Sequence, residues 1–370
     1  MVSFILKLFL FSFSLCLKLD LIDDYFIYAY IGDSQTRYKL LVDPTYPYTF
    51  ILKSYKTTTK KIPDLNPLLF SNNYGNYSGK WIFDNFYFKE ENITLEMKFL
   101  DIFYQKSNLL NADGVLGLGG YFNSDSNIYY YLNQLPQNCS KNIAIFDKKN
   151  KKISICEDKS TKTKKLTIAL NYDSKEEQGL VDISKINYLS NNNELKINNE
   201  AFIGIIPILI ATNEVNQWVV ENYLKEEEKE KKNKNSLSEE IQKYNANYYL
   251  IENSPIKIIF NNTEYLYKNN DRKNMTYINS FLDLNEFESN INKKKNKWYL
   301  GLDNKNIERV EFDYEKGEID ILLYSYKYII IRIILFILVL IFFIYAALNV
   351  LQKKKDKNPK SENEQELVDI

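Results

Sequence analysis

Between Leu19 and Ser325 the chain is written mostly in short runs that alternate apolar and polar residues with period two, the spacing of half-buried β-strands. The clearest are Tyr25–Ile31, Tyr38–Asp43, Ile82–Phe88 and Ile93–Phe99. Clusters such as Ser71-Asn72-Asn73 and Asn191-Asn192-Asn193 mark turns between strands. One helix is predicted, Glu214–Lys229, capped by Thr212 or Asn213. From Lys225 to Glu240 the sequence is nearly all charge and Asn, which reads as a solvated helix end and loop insertion. The polar, Lys-rich stretch Lys148–Lys165 predicts a boundary between two lobes, 20–165 and 166–326.

The two ends break this pattern. Residues 1–19 carry Met1, Lys7 and a Leu- and Phe-rich run from Leu8 to Leu17, and read as a secretory signal peptide. Ile333–Leu348 is uninterrupted apolar sequence, close to the ~20 residues a bilayer requires, and predicts one transmembrane helix over 328–351. Lys353, Lys354, Lys355, Lys357 and Lys360 follow it, against Lys327 and Arg332 before it, so the positive-inside rule places the tail, 352–370, in the cytosol. The expected layout is type I: a single span in a secretory-pathway or cell-surface membrane, with the ectodomain lumenal or extracellular. Of three cysteines, Cys16 leaves with the signal peptide; Cys139 and Cys156 remain as a pair for a disulfide in an oxidising compartment. N-glycosylation sequons at Asn76, Asn92, Asn138, Asn261 and Asn274 agree with that route.

Composition narrows the chemistry. With 370 residues and 45% hydrophobic content the chain can bury one large or two medium cores. Lys+Arg and Asp+Glu are equal at 48 each, so no basic field invites nucleic acid. Tyr (30) outnumbers Gly (11), which suits a β-rich structure. There is no histidine. That excludes Ser–His and Cys–His nucleophiles and any His-ligated metal. No metal and no other cofactor is expected, and carboxylates are the acid–base groups that remain.

Six stretches, in order, then carry a resemblance. Tyr28-Ala29-Tyr30-Ile31-Gly32 is an opening strand, and Leu40-Leu41-Val42-Asp43 a second one ending on a carboxylate. Tyr74-Gly75-Asn76-Tyr77-Ser78-Gly79, followed by Asp84, resembles a flap hairpin with Tyr74 as the flap tyrosine. Asp113-Gly114-Val115-Leu116-Gly117 resembles the hydrophobic-hydrophobic-Gly support of a catalytic loop. Ser254-Pro255-Ile256-Lys257-Ile258-Ile259-Phe260 resembles the Pro-led strand of a second lobe. Trp298-Tyr299-Leu300-Gly301, with Phe312-Asp313 and Gly317-Glu318-Ile319, resembles a closing segment. Together they are similar to the pepsin-like aspartic peptidases. The resemblance implies an all-β, bilobal fold with a cleft between similar lobes, here joined to one C-terminal transmembrane helix.

The family's chemistry needs two carboxylates sharing one proton and one water, each in a tight Asp-Thr-Gly loop. Asp43 matches the first position, but Pro44 replaces the Thr and removes a hydroxyl and an amide donor, while Thr45 replaces the Gly. Position 43 is therefore expected to be poorly supported, a remnant of the dyad. At the second position Ala201-Phe202-Ile203-Gly204-Ile205-Ile206 aligns with the family's strand and loop and puts Gly204 where Asp belongs. A second register places Ala211-Thr212-Asn213 there, also without Asp. The expectation is a membrane-anchored, catalytically inactive member whose cleft, lined by Tyr74, Gly75 and Thr45, receives an extended peptide or a protein. The alternative is an active endopeptidase working at acid pH with an atypical dyad. The hairpin is about two residues short, and a glycan on Asn76 would sit over the cleft mouth.

Overall fold

The computed structural model describes residues 16–52, 68–107, 109, 111–119, 127–135, 139, 141–159, 165–172, 179–188, 192–206, 209–212, 214–215, 217–219, 221–222, 256–260, 263–267, 297–302, 307–323 and 326–357. They fall into two units, 1–323 and 324–370.

The described residues of the first unit form three sheets. Strands β2 (Phe26–Ile31), β3 (Thr36–Asp43), β4 (Phe50–Ile51), β5 (Leu68–Asn72), β6 (Gly75–Phe88), β7 (Ile93–Ser107) and β8 (Gly114–Gly117) form the first, in the order β2-β3-β8-β4-β7-β6-β5. A second sheet runs β15-β18-β14-β13-β16-β17, with β12 beside β13. Its strands are β12 (Asn171–Tyr172), β13 (Gly179–Tyr188), β14 (Asn193–Gly204), β15 (Leu209–Ile210), β16 (Ile256–Phe260), β17 (Thr263–Tyr267) and β18 (Lys297–Gly301). The third, in the order β1-β10-β9-β19-β20-β11, draws strands from both halves of the chain. It comprises β1 (Leu17–Asp20), β9 (Ile143–Asp147), β10 (Lys152–Ile155), β11 (Lys165–Ala169), β19 (Ile307–Asp313) and β20 (Glu318–Leu323). A short helix, α1 (Ile128–Leu132), is capped by Asn127, whose side chain accepts from Tyr129 N–H and donates to Gly119 O.

Period-two patterning places these strands but shortens some of them. The expected strands Ile82–Phe88 and Ile93–Phe99 are the inner halves of β6 and β7, which pair without a break from Phe88↔Ile93 to Gly75↔Ser107 except for one bulge at Ser78/Gly79. Asp84, within the predicted strand, and Asp101, beyond it, are both buried polar positions. Phe26, Phe50, Phe86, Phe88 and Phe99 fill the first core, with Phe86 and Phe99 edge-to-face at 5.1 Å. The turn expected at Ser71-Asn72-Asn73 moves one place on, because Ser71 and Asn72 belong to β5 and the hairpin turns at Asn73-Tyr74. Helix begins at Glu214, as expected, and is described in pieces to Asn222; the rest of Glu214–Lys229 lies outside the described residues. Thr212 Oγ1 is buried and has no hydrogen-bond partner among the described residues, so this hydroxyl does not cap the helix.

The last residues of the expected leader lie in a strand. Leu17-Lys18-Leu19-Asp20 is β1, registered Leu17↔Ile155 to Asp20↔Lys152, with Leu17 and Leu19 buried. Strict alternation makes it a strand, although it abuts the apolar run before it. The Cys139–Cys156 disulfide is present, tying the segment before β9 to the end of β10. It closes a loop of 17 residues, worth about 3 kcal/mol through the unfolded chain.

The described residues of the second unit form one helix, α2 (Tyr326–Lys357), of 32 residues. Its described side chains, from 334 to 349, are almost all exposed, among them Phe336, Phe342 and Phe343. Among the described residues no helix is long and apolar enough to cross a membrane.

Candidate functional site

Two loops leave their sheets by the same construction. In the first half, β3 runs parallel to β8 with Leu41 opposite Val115 and Asp43 opposite Gly117, and β4 closes antiparallel on β8. In the second, β14 runs parallel to β18 with Phe202 opposite Tyr299 and Gly204 opposite Gly301, and β15 closes antiparallel on β18. The amide after each glycine returns to the head of its loop: Leu118 N–H donates to Asp43 O at 2.9 Å, and Leu302 N–H to Gly204 O at 2.8 Å. By strand register Gly204 is the counterpart of Asp43. Ala211 and Thr212, the other register considered, lie beyond β15, and Asn213 lies outside the described residues.

The first loop packs against bare backbone. A Cβ on Gly117 would stand 2.5 Å from Tyr48 O and 2.6 Å from Tyr46 O, and one on Gly119 would stand 2.5 Å from the carbonyl carbon of Thr45. Both glycines of Leu116-Gly117-Leu118-Gly119 are therefore required for close approach of the loop. From the other half of the chain, the hydroxyl of Tyr314 donates to Pro44 O at 2.8 Å.

Asp43 is buried and held firmly, contrary to the poor support expected from Pro44 and Thr45. Its Oδ1 accepts from Thr45 N–H at 2.8 Å, Thr45 Oγ1 at 2.7 Å and Tyr46 N–H at 3.2 Å. Its Oδ2 accepts from the Tyr74 hydroxyl at 2.7 Å. Pro44 removes a hydroxyl and an amide, and Thr45 returns one hydroxyl two residues on from Asp43. A carboxylate offers about four acceptor positions. Three protein donors crowd Oδ1 and one reaches Oδ2, and among the described residues no carboxyl is hydrogen-bonded to Asp43.

Tyr74 reaches this position because the two-residue turn Asn73-Tyr74 ends the β5–β6 hairpin, and Gly75 next to it takes φ 145°, open to glycine alone. Tyr74 is buried, as is Thr45. Burial pushes the Tyr74 phenol well above its ordinary value, and the charge of Asp43 adds to this.

The place where a second carboxyl would project is filled. A Cβ on Gly204 would lie 1.9 Å from the hydroxyl oxygen of Tyr299 and 2.4 Å from its ring carbon Cζ. Tyr299 is buried. Burial first, and the charge of Asp43 second, hold its phenol well above the usual range, while an Ile206 N–H bond to the oxygen works the other way. Tyr299, Tyr314 and Tyr46 were not singled out as site residues from the sequence. The signal for Tyr299 was available: two residues before Gly301 stands Tyr, where two before Gly117 stands Val115.

The remaining candidate residues are peripheral to this centre. Asn76 is exposed on β6, one pair from the hairpin turn, opposite Ser71 and Lys106. Asn92 is exposed at the β6–β7 turn with φ 52°. Asn138, Asn261 and Asn274 lie outside the described residues. Among the described residues no group of His, Cys, Asp or Glu is arranged to hold a metal.

No protein-family model matches the sequence, and no curated protein matches it. Among solved structures the chain is similar to an aspartic proteinase from Irpex lacteus, with a TM-score of 0.53 and 12% identity over 84% of this chain and 98% of that one. At that identity the likeness shows the fold, a mostly β, bilobal structure of the aspartic-proteinase kind.

Proposed function

We propose that the chain is a non-catalytic relative of the pepsin-like aspartic peptidases, carried on a membrane by its C-terminal helix and serving as a surface module for an extended peptide or a protein. The observation that carries this reading is the Tyr299 phenol in the space that a second carboxyl would need. With one carboxylate at this centre among the described residues, hydrogen-bonded by Thr45, Tyr46 and Tyr74, there is no second carboxyl to share a proton across an attacking water. Anchoring is supported by the unbroken apolar run Ile333–Leu348 inside the 32-residue helix and by the lysines that follow it.

The purified chain, incubated with a denatured protein at pH 4–5, is expected to leave it intact. Cleavage that disappears in Asp43→Asn would establish the active-enzyme reading instead. The secretory route makes its own prediction. Ser14-Leu15-Cys16 places small residues three and one before Leu17, which suits signal cleavage there and leaves β1 whole. N-terminal sequencing of the secreted-pathway product should begin at Leu17. A mature terminus at Asp20 or later would remove β1 and contradict it.

A further inference from the structure

Resting on the non-catalytic reading, we infer that Tyr299 is a positioning residue that replaces the missing second carboxyl, so that Gly204 and Tyr299 form one coupled exchange. Three observations carry it. First, the register is shared: Tyr299 faces Phe202 on β14 as Val115 faces Leu41 on β3, so the two halves differ at that site by a large phenol against a small aliphatic side chain. Second, the seat is contested, because a Cβ at Gly204 and the phenol oxygen cannot coexist at 1.9 Å. Third, the phenol uses the loop's own amide. In the first loop the N–H two residues past the head, Thr45, donates to Asp43 Oδ1. In the second the N–H two residues past Gly204, Ile206, donates to the Tyr299 oxygen. The phenol oxygen thus lies within the influence of the Ile206 amide, the counterpart of the one that holds Asp43.

This arrangement answers a problem that a bare loss of Asp would create. A second Asp mutated to Gly leaves a buried amide without an acceptor and a void beside an ionised carboxylate, each destabilising. The Tyr299 ring fills the void and its oxygen satisfies the amide. The phenol, held well above its usual range by burial, stays protonated where a second carboxyl would compete for a proton.

The test is a two-residue cycle on the full chain in detergent micelles: Gly204→Asp, Tyr299→Val and both together, each followed by chemical denaturation. Gly204→Asp alone is expected to lower the folding equilibrium constant about 100-fold, since a fixed ring blocks the new side chain. Adding Tyr299→Val is expected to recover at least about 10-fold of that loss, because Val is what the equivalent position, Val115, already carries. A Gly204→Asp chain as stable as the parent, or a double variant no better than Gly204→Asp, overturns the inference. Tyr299→Phe is a separate arm that keeps the ring: hydrogen exchange at the Ile206 amide should accelerate about 10-fold or more, and unchanged exchange there also overturns it. These readouts are of folding, so parent-chain cleavage at pH 4–5 would refute the non-catalytic reading while leaving the Tyr299 result to be judged on its own.

Discussion

Asp320→Asn is expected to cost the fold about 3 kcal/mol at neutral pH, the usual penalty when one partner of a buried ion cluster is removed. Asp320 is fully buried in β20 and accepts from Lys159 Nζ at 2.8 Å, Lys165 Nζ at 2.9 Å and Thr167 Oγ1 at 2.5 Å. Lys159 also bonds Asp313 at 2.9 Å, so the cluster ties the segment after β10 to β11, β19 and β20 of the sheet shared by both halves. Burial alone would push the Asp320 carboxyl up; its bonds to Lys159, Thr167 and Lys165 outweigh burial and hold it below the ordinary value. Burial would likewise push Lys159 down, but Asp320 and Asp313 hold it above its ordinary value. The signs fix the pH window. A depressed carboxyl contributes stability that is present above its unfolded pKa, about 3.9, and lost as pH falls through the folded value. A raised lysine contributes stability that is present below about 10.4 and lost as pH rises through the folded value. Urea denaturation across pH should therefore show the gap between parent and variant widest from about pH 4 to 10 and narrowing on both sides. A gap independent of pH would refute the account.

That cluster was illegible in the sequence, and the reason is instructive about the whole chain. Lys159 and Lys165 sit in a polar stretch that reads as a solvated boundary between lobes, and their partners lie on β19 and β20. Only the third sheet brings them together, and its strand order mixes chain start, middle and end. The first loop was legible because it is local: Leu40-Leu41-Val42-Asp43 and Asp113-Gly114-Val115-Leu116-Gly117 each hold a strand and its end in one short run, and the two pair directly. Gly204 was likewise placed by the apolar strand leading into it. What filled the space beside it was not, because a glycine says that room is needed without saying for what. Tyr299 is supplied by a parallel neighbour far along the chain, and only register reveals it. Support for Asp43 was misjudged for a related reason. The donors lost at Pro44 are visible as letters, whereas the replacement by the Thr45 hydroxyl and the reach of Tyr74 depend on how the turn and hairpin close.

Gly117→Ala is the second large effect expected, at about 3 kcal/mol or more, and it distinguishes a glycine needed for space from one needed for conformation. The new methyl group would meet Tyr48 O, Tyr46 O and the Tyr48 carbonyl carbon, all within 2.7 Å and all backbone. No rotamer change relieves such contacts, so loop 44–48 must move off β8. The consequence is specific. Asp43 is opposite Gly117, and its carbonyl accepts from Leu118 N–H, so displacement of the loop pulls Thr45 and Tyr46 away from the carboxylate they hold. Gly317 supplies the contrast: it takes φ 63° in the turn between β19 and β20. Gly317→Ala is expected to cost about 1 kcal/mol, the ordinary strain of a left-handed conformation, with Asp43 undisturbed. Denaturation of the two variants, with hydrogen exchange at the Thr45 and Tyr46 amides, separates the mechanisms. Fast exchange at those amides in Gly117→Ala alone is the expected outcome. Equal losses of stability with both amides still protected would mean that the loop does not depend on the glycine beneath it.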